Sequence, residues 1–507
     1  MDIRKILVAN RGEIAVRVIR ACRDLGIRAA AVYSECDRLA LHVRYADEAY
    51  PIGPSQPAES YLRIDRIVET ALRARADAVH PGYGFLAENP AFAKACRDAG
   101  LTFIGPSPET IELMGNKTVA RSVALAAGVS VVPGTADPLP PTAGAAEIER
   151  IACEVGYPIF VKAVAGGGGK GMRLVREPSE LEGAIRAARS EATTSFGDPS
   201  VYIERCLDSP RHVEVQLLGD GSGNVVAFVE RECSIQRRHQ KVLEESPSVV
   251  VGPEMRRSMA TRAAAVARAA GYTNAGTIEF LLDSSGKFYF LEMNTRLQVE
   301  HPITELVTGV DLVEWQIRIA RGERIDIDPE RAITPDGHAI ECRIYAEDPD
   351  NGFLPSPGRI FGLRVPAGPG IRREDGGVSL GLEVPVFYDP LIAKLAVWGE
   401  TRAQAIARTA RALGEYEVRG IKTSIPFFRW LLGEADFREG RFDTNYLDRA
   451  LNARAGKPFL DVSPDCEKIA AIATAIHAST RAGAAANRDR VAPPSAWKAQ
   501  ARREALG

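Results

Sequence analysis

Along the first hundred residues, short apolar runs alternate twice with stretches of apolar residues at helical spacing. Lys5 to Ala9 is a short apolar run and Asn10-Arg11-Gly12 reads as a turn. Ile14, Val18, Cys22 and Leu25 then recur at helical spacing, and Gly26 is placed to end that helix. Ile27 to Tyr33 reads as the next strand. The same order returns as strand Ala76 to His80, a Pro-Gly-Tyr-Gly loop, and a helix with Asn89 as cap and Pro90 in its first turn. Gly100 closes that helix and Leu101 to Ile104 is again a strand. Such alternation predicts a parallel sheet covered by helices. No G-x-G-x-x-G follows the first strand, so the expectation is a supporting sheet rather than a dinucleotide site.

Pro133, Pro138, Pro140 and Pro141 crowd residues 133–144, which reads as a boundary or hinge. Strand Pro158 to Ala163 runs into Gly166-Gly167-Gly168-Gly169-Lys170-Gly171, and strands and helices continue to about Arg331. Residues 335–447 read as another α+β unit. From about 463 the chain is Ala-rich and helical, then a loose linker with Pro493-Pro494, then a last amphipathic turn or two. The length of 507 residues suits three or four domains at roughly 150 residues each. Hydrophobic residues at 45% and charged residues at 26% exclude a disordered chain. Lys and Arg number 64 against 66 Asp and Glu, a net charge of -2, so nothing draws the chain to nucleic acid or a membrane. The apolar start is too short for a signal peptide and no stretch is suited to span a bilayer. Eight scattered cysteines without a C-x-x-C argue against a disulfide scaffold or cysteine-ligated zinc. The expectation is a cytoplasmic protein.

Candidate chemistry concentrates in four places. The glycine run Gly166 to Gly169 lets backbone N–H groups close on an anion, and its placement between strands predicts a mobile flap over a nucleotide. It is not a Walker A loop, because Lys170 is followed by Gly171. Residues 276–294 read as a hairpin; with Ser285-Gly286 as a two-residue loop, Glu279 falls opposite Glu292, and Asn294 shares the face of Glu292. Facing carboxylates repel unless neutralised, so this face predicts a hard-oxygen site for Mg²⁺ or Mn²⁺ with bound phosphates. Arg296, Gln298, Glu300 and His301 follow as a polar burst, in which an Arg can hold a small oxyanion and a carboxylate can act as base. Gln236 to Lys241 is a further set of donors; read alone it is a solvated basic loop.

Taken together, residues 9–15 (Ala-Asn-Arg-Gly-Glu-Ile-Ala), 80–86, 166–171, 236–241, 292–302 and 341–349 resemble biotin carboxylase, an ATP-grasp ligase, over about residues 2 to 450. The resemblance implies an α/β and α+β multidomain fold. It would comprise a Rossmann-like domain over 1–115, an ATP-grasp domain over 116–331 with a mobile glycine-rich lid at about 133–206, and a C-terminal biotin carboxylase domain over 332–450. A tail over 451–507 would follow. The implied reaction makes carboxybiotin from ATP, bicarbonate and biotin, through carboxyphosphate. It implies ATP phosphates near Lys117, Lys162 and Gly166, Gly167, Gly168 and Gly169, with adenine and ribose along Glu204, Arg205, Cys206, Leu207, His212, Gln236, His239 and Leu281. Two Mg²⁺ or Mn²⁺ sites would use Glu279, Glu292 and Asn294. Bicarbonate would be held by Lys241, Arg296, Gln298 and the backbone of Val299, Glu300 would be the base, and Arg343 would stabilise the enolate of biotin. Arg205, Tyr345 and Asp389-Pro390 depart from common members of the family.

In this family biotin is normally attached within Met-Lys-Met, yet the last methionine here is Met293. The resemblance therefore implies a separate biotin carboxylase chain that works on a biotin carboxyl carrier protein or domain. A carboxyltransferase subunit would then pass the group to acetyl-CoA, another acyl-CoA, pyruvate or another oxoacid. With acetyl-CoA the setting would be fatty acid biosynthesis. A homodimer is expected, with no nucleic acid and no membrane as partner. The tail over 496–506 reads either as a frayed terminus or, from Trp497 and its basic residues, as a docking segment, the reading that the resemblance favours. Rival readings are another ATP-grasp ligase forming a carbamoyl or acyl phosphate, a non-catalytic ATP-binding protein, and a nicotinamide-dependent dehydrogenase. The contexts of Glu300 and Arg343, the filled catalytic positions and the missing glycine fingerprint count against them in that order.

Overall fold

The parallel sheet expected at the N-terminus is present. Strands Lys5–Val8, Arg28–Ser34, Glu48–Gly53, Ala78–His80 and Thr102–Phe103 are ordered third, second, first, fourth, fifth. Helix Gly12–Asp24 buries Ile14, Val18, Ile19 and Cys22 against it, and Gly26 takes the left-handed conformation just beyond the helix end. Asn89 caps helix Pro90–Asp98, its side-chain oxygen accepting from the Phe92 N–H at 2.9 Å. The strand order reverses between the first and fourth strands, where open sheets leave a crevice. Here Asn10 ties the two loops together by donating to Pro81 O at 2.7 Å and Tyr83 O at 2.8 Å.

This computed structural model describes residues 2–140, 142–165, 172–374, 376–454, 456–459, 463–488 and 500. Met1–Lys457 and Pro458–Gly507 are separate compact units. In the first, Ile159–Ala163 pairs antiparallel with Met172–Val175 and Val201–Arg205. The Pro-rich segment runs beside the last of these, with Thr135 N–H donating to Ile203 O and Leu139 N–H to Val201 O. The glycine flap, Gly166 to Gly169, lies outside the described residues.

Eight antiparallel strands form the sheet that carries the site. From one edge to the other they are Phe288–Asn294, Asn274–Leu282, Arg211–Gly219, Val225–Arg237, Gln240–Ser246, His338–Tyr345, Leu391–Gly399 and Ile371–Glu374. Alternation sorts their side chains. Val213, Val215, Leu217, Ile278 and Phe280 pack with Met259 and Ala263 of helix Pro253–Ala269. His212, Glu214, Gln216, Thr277 and Glu279 therefore project from the other face.

The hairpin differs from its expected geometry. Asp283 N–H donates to Lys287 O, so the loop is the three residues Ser284, Ser285 and Gly286, with Gly286 left-handed, rather than Ser285-Gly286. Leu282 pairs with Phe288 and Phe280 with Phe290, one residue out of the expected register. A bulge at Leu291 then restores it, and Glu279 does face Glu292. The Asp283 carboxylate sets the longer loop by accepting from the N–H groups of Ser285 and Lys287.

In the second unit, helix Pro464–Arg488 exposes Ile469, Ile472 and Ile476. The expected docking segment 496–506 lies outside the described residues apart from Gln500. Among the described residues no helix is long and apolar enough to cross a membrane.

Candidate active site

One cleft of about 1380 Å³ gathers the residues singled out from sequence. Its wall includes Lys117, Lys162, Glu204, Arg205, Cys206, Leu207, His212, Gln236, His239 and Leu281. It also includes Lys241, Glu279, Glu292, Asn294, Arg296, Gln298, Val299 and Arg343. Glu300 stands just behind that wall, fully buried. The basic run Gln236 to Lys241 is the tip of a hairpin, with Arg238, His239 and Gln240 exposed and Gln236 buried. Gln236 pairs with Lys241 and Arg237 with Gln240, while Arg238 and His239 form the turn with φ of 51° and 66°. Two adjacent left-handed residues other than glycine cost roughly 1–3 kcal/mol each. Arg237 helps hold the tip through its stack on Phe353 at 4.0 Å and its ion pair with Glu347 at 2.9 Å.

Charges line up across the sheet. Glu292, Glu279, Glu214 and Arg231 are successive partners on four neighbouring strands. Arg231 is fully buried and reaches Glu214, Gln216 and Thr304. Lys241 stands over this row, its Nζ 2.5 Å from Glu214, 2.8 Å from Glu279 and 2.8 Å from Glu300. Burial disfavours its charge, but the three carboxylates together raise the ammonium pKa well above its ordinary value. The second oxygen of Glu300 accepts from Arg343 at 2.9 Å, and Arg343 also holds Glu244 at 2.6 Å. Burial alone would push the Glu300 pKa up; Lys241, Arg343 and Arg231 instead hold it well below the usual carboxylate range. The Glu244 carboxyl is raised to about 7, by burial first, with Arg343 opposing and Glu300 adding to the rise.

The remaining groups form two ends of the cleft. At one, Lys162 and Arg121 both pair with the buried Glu204. Gln236 contacts His212 Nδ1 at 2.8 Å, and His212 Nε2 lies 2.8 Å from Glu279. At the other, Arg296 donates to Glu88 at 2.7 Å and to Gln298 at 2.9 Å. Lys117 Nζ is 3.5 Å from Glu292, and Asn294 donates to Glu279 at 2.7 Å. Glu279, Glu292 and Asn294 offer only oxygen donors to a cation, a set that fits Mg²⁺. Two tighter groups, His212/Glu214/Glu279 and Glu214/Cys233/Glu300, also gather donor atoms within 4.8 Å. Lys241 pairs with two carboxylates in each of these groups, whereas in the oxygen set it reaches Glu279 alone.

Sequence reasoning missed Glu214, Arg231, Glu244, Glu88 and Arg121. Glu214 had a usable signal, since it lies two residues from His212 and shares its strand face. The others are joined to the site by pairing between distant segments.

Matches to family models place this mixed α/β chain, with its charged cleft and acidic hairpin, among the ATP-grasp ligases. Residues 2–111 match the biotin carboxylase N-terminal domain, 116–328 the ATP-binding domain of the carbamoyl-phosphate synthase L chain, and 341–449 the biotin carboxylase C-terminal domain. The chain belongs to the biotin carboxylase family. It is 51% identical to biotin carboxylase of a Nostoc species over 451 residues, 88% of this chain and 99% of that one. It is 50% identical to biotin carboxylase 1 of Bacillus subtilis over 447 residues, 88% and 98% of the two chains. Among solved structures, it is similar to the biotin carboxylase domain dimer of Hydrogenobacter thermophilus 2-oxoglutarate carboxylase, in complex with MgADP, ADP and bicarbonate. That match has a TM-score of 0.86 and 48% identity and covers 91% of this chain and 100% of that one.

Proposed function

We propose that the chain carboxylates biotin on a separate carrier protein, using ATP and bicarbonate, as the first half-reaction of a biotin-dependent carboxylase. The observation that carries this reading is the clamp on Glu300, a buried carboxylate held ionised between Lys241 and Arg343 beside Arg296 and Gln298. Bicarbonate binds to Lys241, Arg296, Gln298 and the Val299 N–H. Its negative charge competes for Lys241 and raises the proton affinity of Glu300, which then takes the bicarbonate proton. The oxyanion attacks the γ-phosphorus of ATP, forming one O–P bond as the bond to the β-phosphate oxygen breaks, and leaves carboxyphosphate and ADP. Lys117, Lys162 and the glycine flap hold the phosphates; Glu204 to Leu207, His212, Gln236, His239 and Leu281 hold the nucleoside. Glu279, Glu292 and Asn294 would hold Mg²⁺ or Mn²⁺ at two sites, where the metal would neutralise phosphate charge. Arg343 stabilises the enolate-like biotin during carboxyl transfer.

The partners in this reading are a biotin carboxyl carrier, a carboxyltransferase and a second copy of the chain, all in the cytoplasm. Fatty acid biosynthesis follows if the carboxyltransferase takes acetyl-CoA. Domain limits of 1–115, 116–331, 332–450 and 451–507, with the lid at 133–206, belong to the same reading. The test is bicarbonate-dependent ADP release stimulated by free biotin. ADP release indifferent to bicarbonate and biotin would overturn it.

A further inference from the structure

Glu300 is gripped from a second direction. Lys241 and Arg343 hold its carboxylate, while the carbonyl of the preceding residue, Val299, accepts a hydrogen bond from Lys394 Nζ at 2.8 Å. Lys394 lies on strand Leu391–Gly399, directly opposite Arg343 on the next strand. The same strand pair therefore supplies one cation to the Glu300 carboxylate and another to the backbone just before it. Lys394 is fully buried and does not line the cleft, so a direct contact with substrate is not its role.

A buried ammonium is costly unless it is paired. Lys394 has Glu13 Oε2 at 3.3 Å and the Tyr83 ring centroid at 5.5 Å, and Glu374 is its partner on the strand beyond. Glu13 sits in the first turn of helix Gly12–Asp24, and neither of its carboxylate oxygens has a hydrogen-bond partner. The ammonium thus lies where the N-terminal helix and the far end of the large sheet converge, and its hydrogen bond goes to a main-chain carbonyl. Glu300 is the N-cap of helix His301–Thr308 and makes no side-chain cap hydrogen bond there. The cap therefore does not orient the Val299–Glu300 peptide, and the side chain that does grip it is Lys394.

We propose that Lys394 is a positioning residue for bicarbonate activation. It fixes the Val299–Glu300 peptide, and so the Glu300 carboxylate, relative to the adjoining Gln298–Val299 peptide, whose carbonyl contacts His301 Nδ1 at 2.8 Å, so that the Val299 N–H and the carboxylate converge on the same bicarbonate. The inference rests on the assignment of those two groups to bicarbonate above.

Lys394→Met keeps the apolar stem and removes the ammonium. Lys394→Met combined with Glu13→Gln also removes one of the two buried carboxyl groups, Glu13 and Glu341, that face Lys394 without a hydrogen-bond partner. With ATP, free biotin and varied bicarbonate, both variants should lose roughly ten- to a hundredfold in kcat/KM for bicarbonate, the size of a lost charge-assisted hydrogen bond. The KM for ATP and the calorimetric affinity for ADP should stay within about twofold of wild type, a split that a general loss of structure would not produce. Wild-type protein without bicarbonate-dependent cleavage would refute the functional reading and this inference with it. With active wild type, unchanged bicarbonate kinetics or equal losses for ATP and bicarbonate would overturn the positioning role alone. Failure of both variants to fold would also overturn it, for Lys394 would then be a structural charge.

Discussion

Glu300→Gln separates the chemistry of the site from its architecture. The carboxylate is fully buried and bridges Lys241 at 2.8 Å and Arg343 at 2.9 Å. Removing one partner from a buried ion pair costs roughly 3–5 kcal/mol when the other charge is left alone. Neither cation would be left alone here. Lys241 keeps Glu214 and Glu279, and Arg343 keeps Glu244. The amide retains the shape of the carboxylate and one acceptor oxygen. The expected stability loss is therefore that of one charge-assisted hydrogen bond, about 1.5–3 kcal/mol, and the protein should fold. Catalysis should suffer more selectively. Loss of a general base lowers turnover by roughly 10²-fold or more, about 2.7 kcal/mol of barrier at 1.36 kcal/mol per decade. ADP release at saturating ATP with varied bicarbonate measures the first quantity, and calorimetry with ADP measures nucleotide affinity. The reasoning is refuted if turnover is unchanged, or if the whole defect is weaker nucleotide binding.

Glu292→Gln removes one charge of the facing pair and should raise the Mg²⁺ concentration needed for half-maximal turnover without unfolding the chain; wild-type turnover at limiting Mg²⁺ would exclude the hairpin as the metal site. Burial raises the Glu13 carboxyl from 4.5 to about 7, with Lys394 opposing. Between those values the unfolded chain gives up its proton first, so Glu13 costs stability progressively as pH rises through the window. Glu13→Gln should gain stability relative to wild type between about pH 5 and about pH 7.5, by at most ~3 kcal/mol at 1.36 kcal/mol per pKa unit; equal differences in Tm at both values would refute this. Deleting residues 481–507 should leave free-biotin carboxylation intact and weaken co-purification with the carrier or carboxyltransferase chain, and unchanged assembly would remove the docking role from the tail.

Local pattern determined much of the scaffold. Short apolar runs and helical spacing marked the N-terminal strands and helices, and Asn89, Gly26 and Gly100 marked helix ends because caps and left-handed positions restrict residue type. Hairpin arithmetic brought Glu279 opposite Glu292, but by a route the structure revised. A two-residue loop and a three-residue loop followed by a bulge reach the same pairing, and alternation alone cannot distinguish them. Tertiary structure decided how the charges are balanced. Glu214 meets both Lys241 and Arg231 because separate strands fall into register, and Glu244 reaches Arg343 across another strand pairing. Lys394 reads in sequence as one polar position within the apolar strand Leu391–Gly399. Only the return of that strand alongside His338–Tyr345 brings its ammonium to Val299, 95 residues earlier. Side-chain period is a property of neighbouring residues, whereas the partner of a buried charge is set by which distant backbones pair.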